Sequence, residues 1–150
     1  MKSKGLCEKG LSSFSLLLTF VAVGSGVFFT YGNPLNADAN SEPPAVAVAN
    51  FLKHARLRAI TSSSAYFVVP VSENKIVAKI GSKCSDRSPA IDPQMEFKLP
   101  SGAILSSTAW TTCFSSQGQT EVATNIPITD SSNSDQTVRV LIGGSVKVGA

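Results

Sequence analysis

The hydrophobic pattern of the chain is dominated by an uncharged stretch over residues 11–37, whose apolar centre spans residues 14–29. A helix of about 20 apolar residues is long enough to cross the hydrocarbon core of a bilayer. Lys2, Lys4 and Lys9 precede the stretch, and the positive-inside rule then places the N-terminus in the cytoplasm and the following chain outside. The pattern predicts a basic leader, a transmembrane helix, a linker or helix break, and a soluble domain (residues 1–10, 11–32, 33–44 and 45–150).

The next periodic segment, residues 45–60, has the apolar spacing of an amphipathic helix. Its apolar positions recur every three or four residues (Val48, Phe51, Leu52, Ala55 and Ala59). The basic residues Lys53, Arg56 and Arg58 lie mostly on other faces of this predicted helix. His54 lies beside them and off the apolar stripe, so we expect its side chain to be solvated.

Beyond a serine-rich break, the pattern changes to short segments of β-forming residues. Residues 66–71 and 75–80 are separated by only three residues, Ser72-Glu73-Asn74, which predicts a β-hairpin. Residues 84–94 include Pro89 and Pro93 and are predicted to form a loop.

Three further turns are indicated by glycine, in residues 100–102, 115–119 and 143–144. Gly118 is the expected residue of positive φ in the second turn, and the glycine pair in the third is the signal of a two-residue hairpin. The strands predicted beside these turns are residues 96–99, 103–105, 111–114, 121–129, 137–142 and 145–148. The chain therefore predicts an α+β fold, in which an N-terminal apolar helix precedes a second, amphipathic helix packed on an antiparallel β-sheet.

The exported part of the chain contains two cysteines, Cys84 and Cys113, whereas Cys7 lies in the leader. In an oxidising compartment such a pair favours a disulfide, and the alternative is two unpaired buried thiols. Closing the loop between them would contribute on the order of 3 kcal/mol. The net charge of +3 is spread without a cluster, so bulk charge does not indicate nucleic acid or a membrane surface as a partner.

No residue pattern indicates catalysis. The only histidine is His54, and no Gly-x-Ser-x-Gly elbow or glycine-rich phosphate loop is present. Two thiols and one distant imidazole do not form a zinc ligand set. The acidic residues lie mainly in predicted turns and loops (Asp86, Asp92, Glu96, Asp130 and Asp135). We therefore expect neither an enzyme nor a bound metal or cofactor.

The N-terminal order Lys9-Gly10, then Leu-Ser-Ser-Phe-Ser-Leu-Leu-Leu, resembles the signature of type IV pilins and type II secretion pseudopilins. The resemblance implies that a prepilin peptidase cleaves after Gly10, which makes Leu11 the first and often methylated residue. A second register cleaves after Ser13 and begins at Phe14. In both registers the glutamate that the family has at the fifth mature position is absent, because Ser15 or Leu18 stands there.

Four later segments resemble the soluble domain of the GspH/FimT-type minor pilins: Ala-Arg-Leu-Arg-Ala-Ile (55–60), Leu-Pro-Ser-Gly (99–102), Phe-Ser-Ser-Gln-Gly-Gln (114–119) and Gly-Ser-Val-Lys-Val (144–148). The resemblance implies a non-catalytic minor subunit of a pilus or secretion pseudopilus, at the tip or in assembly priming. It implies a single-pass protein of the bacterial inner membrane with a periplasmic or extracellular C-terminal domain. Its expected partners are other pilin subunits through the N-terminal helix, the prepilin peptidase and the inner membrane.

Other interpretations of the same sequence remain. Some FimT-like subunits bind DNA during its uptake through basic residues near the C-terminus, and the candidates here are Arg139 and Lys147, with the lysines of the first hairpin region (Lys75, Lys79 and Lys83) as further ones. Ala37 and Ala39 form the small-x-small pattern of a signal peptidase site, so cleavage after Ala39 would release a secreted β-domain. An unprocessed signal anchor is the third interpretation.

Overall fold

The computed structural model describes residues 42–149. The predicted leader, the apolar helix, most of the linker and both cleavage registers (Gly10–Leu11 and Ser13–Phe14) lie outside the described residues. Within residues 42–149, no helix combines the length and the apolar character needed to cross a bilayer. This part of the chain forms a helix and eight strands in the following order: α1 (Pro44–Thr61), β1 (Ala65–Ser72), β2 (Lys75–Gly81), β3 (Ala90–Lys98), β4 (Ile104–Leu105), β5 (Thr112–Phe114), β6 (Thr124–Thr129), β7 (Asp135–Val140) and β8 (Val146–Gly149).

Helix α1 agrees with the predicted helix to within one residue at each end. It begins with Pro44 in the first turn, where proline is tolerated because the first N–H groups of a helix have no intrahelical partner. The Pro43 carbonyl accepts hydrogen bonds from the N–H groups of Val46 and Ala47, at 2.9 and 3.1 Å. At the other end, Ser63 adopts a φ of +51° and directs the chain into β1.

The apolar stripe predicted for α1 is the face that packs. All five of its residues are fully buried (Val48, Phe51, Leu52, Ala55 and Ala59). The ring of Phe51 stacks on that of Phe97 from β3, with 5.5 Å between the ring centroids. Helix α1 contacts β1 and β5 as well as β7 and β8. Its buried face therefore forms one hydrophobic core together with strands from both ends of the chain.

The strands form two antiparallel four-stranded sheets, where the sequence predicted one. The first sheet has the order β3-β2-β1-β5 and the second has the order β4-β6-β7-β8. The chain therefore changes sheet after β3, after β4 and after β5. The predicted turns at residues 100–102 and 115–119 are present, but they link different sheets and do not close hairpins. Alternating hydrophobicity reports which face of a strand is buried and does not report its partner, which is why the second sheet was not predicted.

Both predicted hairpins are present, but the loop of the second is longer than the two residues predicted, since β7 ends at Val140 and β8 begins at Val146. Strands β1 and β2 pair from Ala65↔Gly81 to Ser72↔Lys75, with one register shift near the turn. Strands β7 and β8 pair around a loop in which Gly143 and Gly144 have φ values of +87° and +84°. Only glycine adopts such values without a steric cost, so the glycine pair sets the shape of this loop.

Strand β3 begins inside the segment that the sequence predicted as a loop. Its register with β2 shifts between the pairs Val77↔Glu96 and Lys79↔Ile91, and the shift accommodates Pro93. Because β3 is an edge strand, proline removes no ladder hydrogen bond that a neighbouring strand would need. The prolines and aspartates of residues 84–94 predicted a loop, but the second half of this segment is part of an irregular edge strand.

Candidate functional site

The turn after β5 contacts helix α1 at Arg56 and Ile60. The turn is closed by hydrogen bonds from the Ser115 N–H to the Gln119 carbonyl (2.8 Å) and from the Gly118 N–H to the Ser115 carbonyl (2.7 Å). Gly118 has a φ of +71°, which confirms the sequence prediction. Its carbonyl oxygen accepts a hydrogen bond of 2.8 Å from Nε of the half-buried Arg56.

The β7–β8 hairpin contacts the chain beside this turn, at Thr120. The Gly143 N–H donates to the Thr120 carbonyl at 3.2 Å, and Oγ1 of Thr120 donates to the Leu141 carbonyl at 2.9 Å. A Cβ atom at Gly144 would overlap the carbonyl oxygen of Gly118. The two glycine turns and the helix therefore meet in a cluster, which we call the glycine junction (Arg56, Gly118, Thr120, Gly143 and Gly144). The sequence predicted each turn and gave no signal that they touch or that Arg56 joins them.

A second polar cluster fixes the end of α1 to β3. The Tyr66 hydroxyl donates to Oδ2 of Asp92 at 3.0 Å, and Arg58 forms an ion pair of 3.4 Å with the same oxygen. The guanidinium of Arg58 also donates two hydrogen bonds of 3.2 Å to Oε1 of Gln94. Burial, followed by the hydrogen bond to Asp92, raises the pKa of Tyr66. Asp92 was expected to be a solvated turn residue, and it is instead a half-buried acceptor in strand β3.

His54 also differs from the expectation of a solvated side chain. It is half-buried, and its Nδ1 atom is buried without a hydrogen-bond partner among the described residues. Burial, and then the positive charge of Arg58 one turn away, lower the pKa of His54. The neutral imidazole is therefore the form that this environment favours.

Two other carboxylates do form turns, as predicted. Asp86 accepts hydrogen bonds from the N–H and the hydroxyl of Ser82, at 2.5 and 2.9 Å. Asp130 accepts them from the hydroxyl of Ser132 and from the N–H of Ser134, at 2.6 and 2.9 Å. These hydrogen bonds stabilise the charged carboxylate and lower the pKa of each group.

The predicted disulfide between Cys84 and Cys113 is present. It joins residues 82–89, which follow β2, to strand β5. Cys113 lies directly opposite Phe67 in the β1–β5 ladder. Two cavities flank Cys84, with volumes of about 220 and 370 Å³. No group of three or more histidine, cysteine or acidic side chains able to hold a metal ion occurs within residues 42–149.

The structure brings together two of the basic residues proposed for DNA binding. Arg139 on β7 and Lys147 on β8 are direct cross-strand partners, and both are exposed. Neither forms an ion pair with a carboxylate of the described residues. The other candidates do not join them, since Lys75 and Lys79 lie on β2 of the first sheet, and Lys75 pairs with Glu96 at 2.7 Å.

No protein-family model and no curated protein sequence matches the chain. Solved structures do resemble it. Two crystal forms of the type IV minor pilin FimU of Pseudomonas aeruginosa strain PAO1 superpose with TM-scores of 0.53 and 0.54. The match covers 71% of this chain and 86% and 90% of the FimU chains. The described residues have a pilin-like α+β fold. At sequence identities of 12% and 13%, this similarity concerns the fold alone.

Proposed function

We propose that the chain is a minor pilin or pseudopilin, a non-catalytic structural subunit of a type IV pilus or a type II secretion pseudopilus. The observation that carries the proposal is a fold match extending over 86–90% of a minor pilin, in a chain whose sequence places a basic leader and an apolar stretch before that fold. The GspH/FimT type is proposed from the sequence motifs of residues 55–60, 114–119 and 144–148 alone, and in this chain all three contribute to the glycine junction.

In this proposal the apolar segment, residues 11–32, anchors the subunit in the bacterial inner membrane and then packs against like helices of neighbouring subunits. Helices in lipid associate through close packing and polar contacts, to which Gly24 and Gly26 are suited. The domain of residues 45–150 lies on the periplasmic or extracellular side, which the Cys84–Cys113 disulfide supports, since disulfides persist in oxidising compartments.

The missing glutamate supports a tip or assembly-priming position. With Ser15 or Leu18 at the fifth mature position, the helix brings no carboxylate to pair with the N-terminal amine of a neighbour. An unpaired charge in the membrane is costly, so such a subunit suits a site where one neighbour is absent.

The test is the intact mass and the N-terminal sequence of the mature protein, isolated from its native membrane. We expect a start at Leu11 or Phe14, with the mass of one added methyl group. A start at Asn40 would refute the proposal and identify a secreted domain released after Ala39. An intact Met1 would equally refute processing by a prepilin peptidase and leave an anchored protein.

One observation favours DNA binding as a second candidate function. The cation pair Arg139–Lys147 places two like charges opposite each other on an exposed strand pair, an arrangement that costs stability unless an anion lies between them. Binding of a fluorescent DNA duplex at several salt concentrations tests it, because each phosphate contact contributes about 0.9 to the slope of log K against log salt. Arg139→Gln and Lys147→Gln should each reduce that slope, and Lys98→Gln on the other sheet should not. Equal slopes for all variants would exclude this site.

A further inference from the structure

Phe67 occupies an unusual position in the first sheet. Its neighbours Tyr66 and Val68 point into the core against α1, so Phe67 points to the opposite face of the sheet. Only 9% of its surface is nevertheless exposed. Residues 82–89 lie beside it, since Gly81 fits tightly between the Phe67 ring and the carboxylate of Asp86. A segment outside the regular sheets therefore shields an aromatic ring from solvent.

Between its two ends, which continue into β2 and β3, this segment is joined to the sheet by the Cys84–Cys113 disulfide. The hydrogen bonds of residues 82–89 within the described chain are all internal, from Ser82 and Lys83 to Asp86 and from the Asp86 N–H to the Lys83 carbonyl. None reaches another strand. Cys84 also borders two open cavities, of about 220 and 370 Å³, so part of the segment beside it faces solvent and not protein.

We propose that this disulfide is a redox-sensitive tether that holds residues 82–89 over Phe67. Its reduction exposes the Phe67 ring to solvent while both sheets stay folded. The proposal does not depend on filament assembly. Closure of the loop contributes on the order of 3 kcal/mol, which is below the 5–15 kcal/mol that stabilises a typical domain. The core against α1 does not include Phe67, so the helix and the ladders keep their own packing when the segment moves.

The reaction is a thiol–disulfide exchange with a dithiol. A thiolate of the dithiol attacks one sulfur of the Cys84–Cys113 bond, and the displaced cysteine sulfur takes up a proton. The second thiol of the reductant then attacks the mixed disulfide. Two cysteine thiols form, and the dithiol is oxidised to its own disulfide with the transfer of two electrons. Both cysteines line the cavity of about 220 Å³ and are partly exposed, so a small thiol reaches them.

The test compares the oxidised full-length protein in detergent with the same protein treated with dithiothreitol, by hydrogen exchange and mass spectrometry. We expect exchange of residues 82–89 to accelerate by about tenfold or more, while α1 and β7 keep their protection. Binding of an anilinonaphthalene sulfonate dye, which reports exposed apolar surface, should rise in parallel. The increase in dye binding should disappear in Phe67→Ser, a variant that keeps both cysteines.

The double variant Cys84→Ser/Cys113→Ser serves as a matched control for the free thiol of Cys7. It should show fast exchange of residues 82–89 without reductant and no further change with it. Unchanged exchange of this segment in the reduced protein would overturn the proposal. Accelerated exchange throughout α1 and β7 would also overturn it, since the disulfide would then stabilise the whole fold. If the double variant does not fold, the time course of reduction of the folded wild type makes the same distinction.

Discussion

The glycine junction gives a quantitative prediction, because its two neighbouring glycines share a backbone conformation and differ in what a Cβ atom would meet. Gly143 and Gly144 have nearly equal φ values, of +87° and +84°. A Cβ atom at Gly143 would meet nothing within 4 Å, whereas one at Gly144 would overlap the carbonyl oxygen of Gly118 and lie 3.1 Å from Nε of Arg56. Gly143→Ala therefore measures only the cost of a left-handed backbone at a residue with a side chain. Gly144→Ala adds the cost of pushing the Gly118 carbonyl and Arg56 away from the hairpin.

The left-handed conformation costs an L-residue about 1–2 kcal/mol, so Gly143→Ala should lower the free energy of unfolding by about that amount. Gly144→Ala should also break the hydrogen bond from Arg56 to Gly118, and a hydrogen bond to a charged group contributes about 1.5–3 kcal/mol. We expect a total loss of about 2.5–5 kcal/mol for Gly144→Ala, which is the sum of both costs.

Urea unfolding of the full-length protein, analysed by linear extrapolation, measures both losses. A double-mutant cycle with Arg56→Gln gives the interaction directly: Arg56→Gln should be costly in the wild type and nearly neutral in the Gly144→Ala background. Equal destabilisation by the two alanine variants would refute the close contact between the turns. A full effect of Arg56→Gln in both backgrounds would refute the role given to the arginine.

Three further predictions concern the polar groups. Tyr66→Phe should lower the free energy of unfolding by about 1.5–3 kcal/mol in a urea titration, because Asp92 loses a donor, and no loss would show that the hydroxyl is solvated. The hydrogen bonds that lower the pKa of Asp86 stabilise the folded protein above pH 3.8, the ordinary pKa of the group, and this stability is lost as the pH falls through the lowered pKa. Asp86→Asn should therefore be less stable than the wild type at pH 7 and equal to it below the lowered pKa. Because the pKa of His54 is lowered in the folded protein, the unfolded chain takes up a proton first as the pH falls below 6.5, and the stability of the wild type should decline between pH 6.5 and the lowered pKa. His54→Gln should show a smaller decline in melting temperature over that interval. An identical profile for the two proteins would contradict the burial of the imidazole.

Local patterns predicted local structure well. The spacing of Val48, Phe51 and Leu52 gave both the extent of α1 and the face that it buries, because helical period and burial are set within a few residues. The β1–β2 hairpin and the positive φ of Gly118 were predictable for the same reason. Cys84 and Cys113 gave the disulfide because few pairings were available.

Contacts between distant segments were not predictable from these patterns. Arg56 and Gly118 are separated by 62 positions, and an arginine on a predicted helix gives no sign of its acceptor. Pro89, Pro93 and the nearby aspartates predicted a loop around Asp92, and only its approach to Tyr66 and Arg58 in the folded protein makes it a half-buried acceptor. The division into two sheets has the same origin, since strand pairing depends on the whole chain.

Under the proposed function, the glycine junction also has a consequence for the order of folding during export. Contacts between residues far apart in sequence form late, because the intervening chain must first be closed into a loop. Arg56 enters the periplasm or extracellular space long before Gly118 and Gly144 in the proposed orientation. Helix α1 packs on β1 once that strand has emerged, whereas the part of its buried face that packs on β7 and β8 stays uncovered until those strands have emerged as well. A chaperone or the membrane surface that shields this face in the interval would determine how much of the protein reaches its folded state.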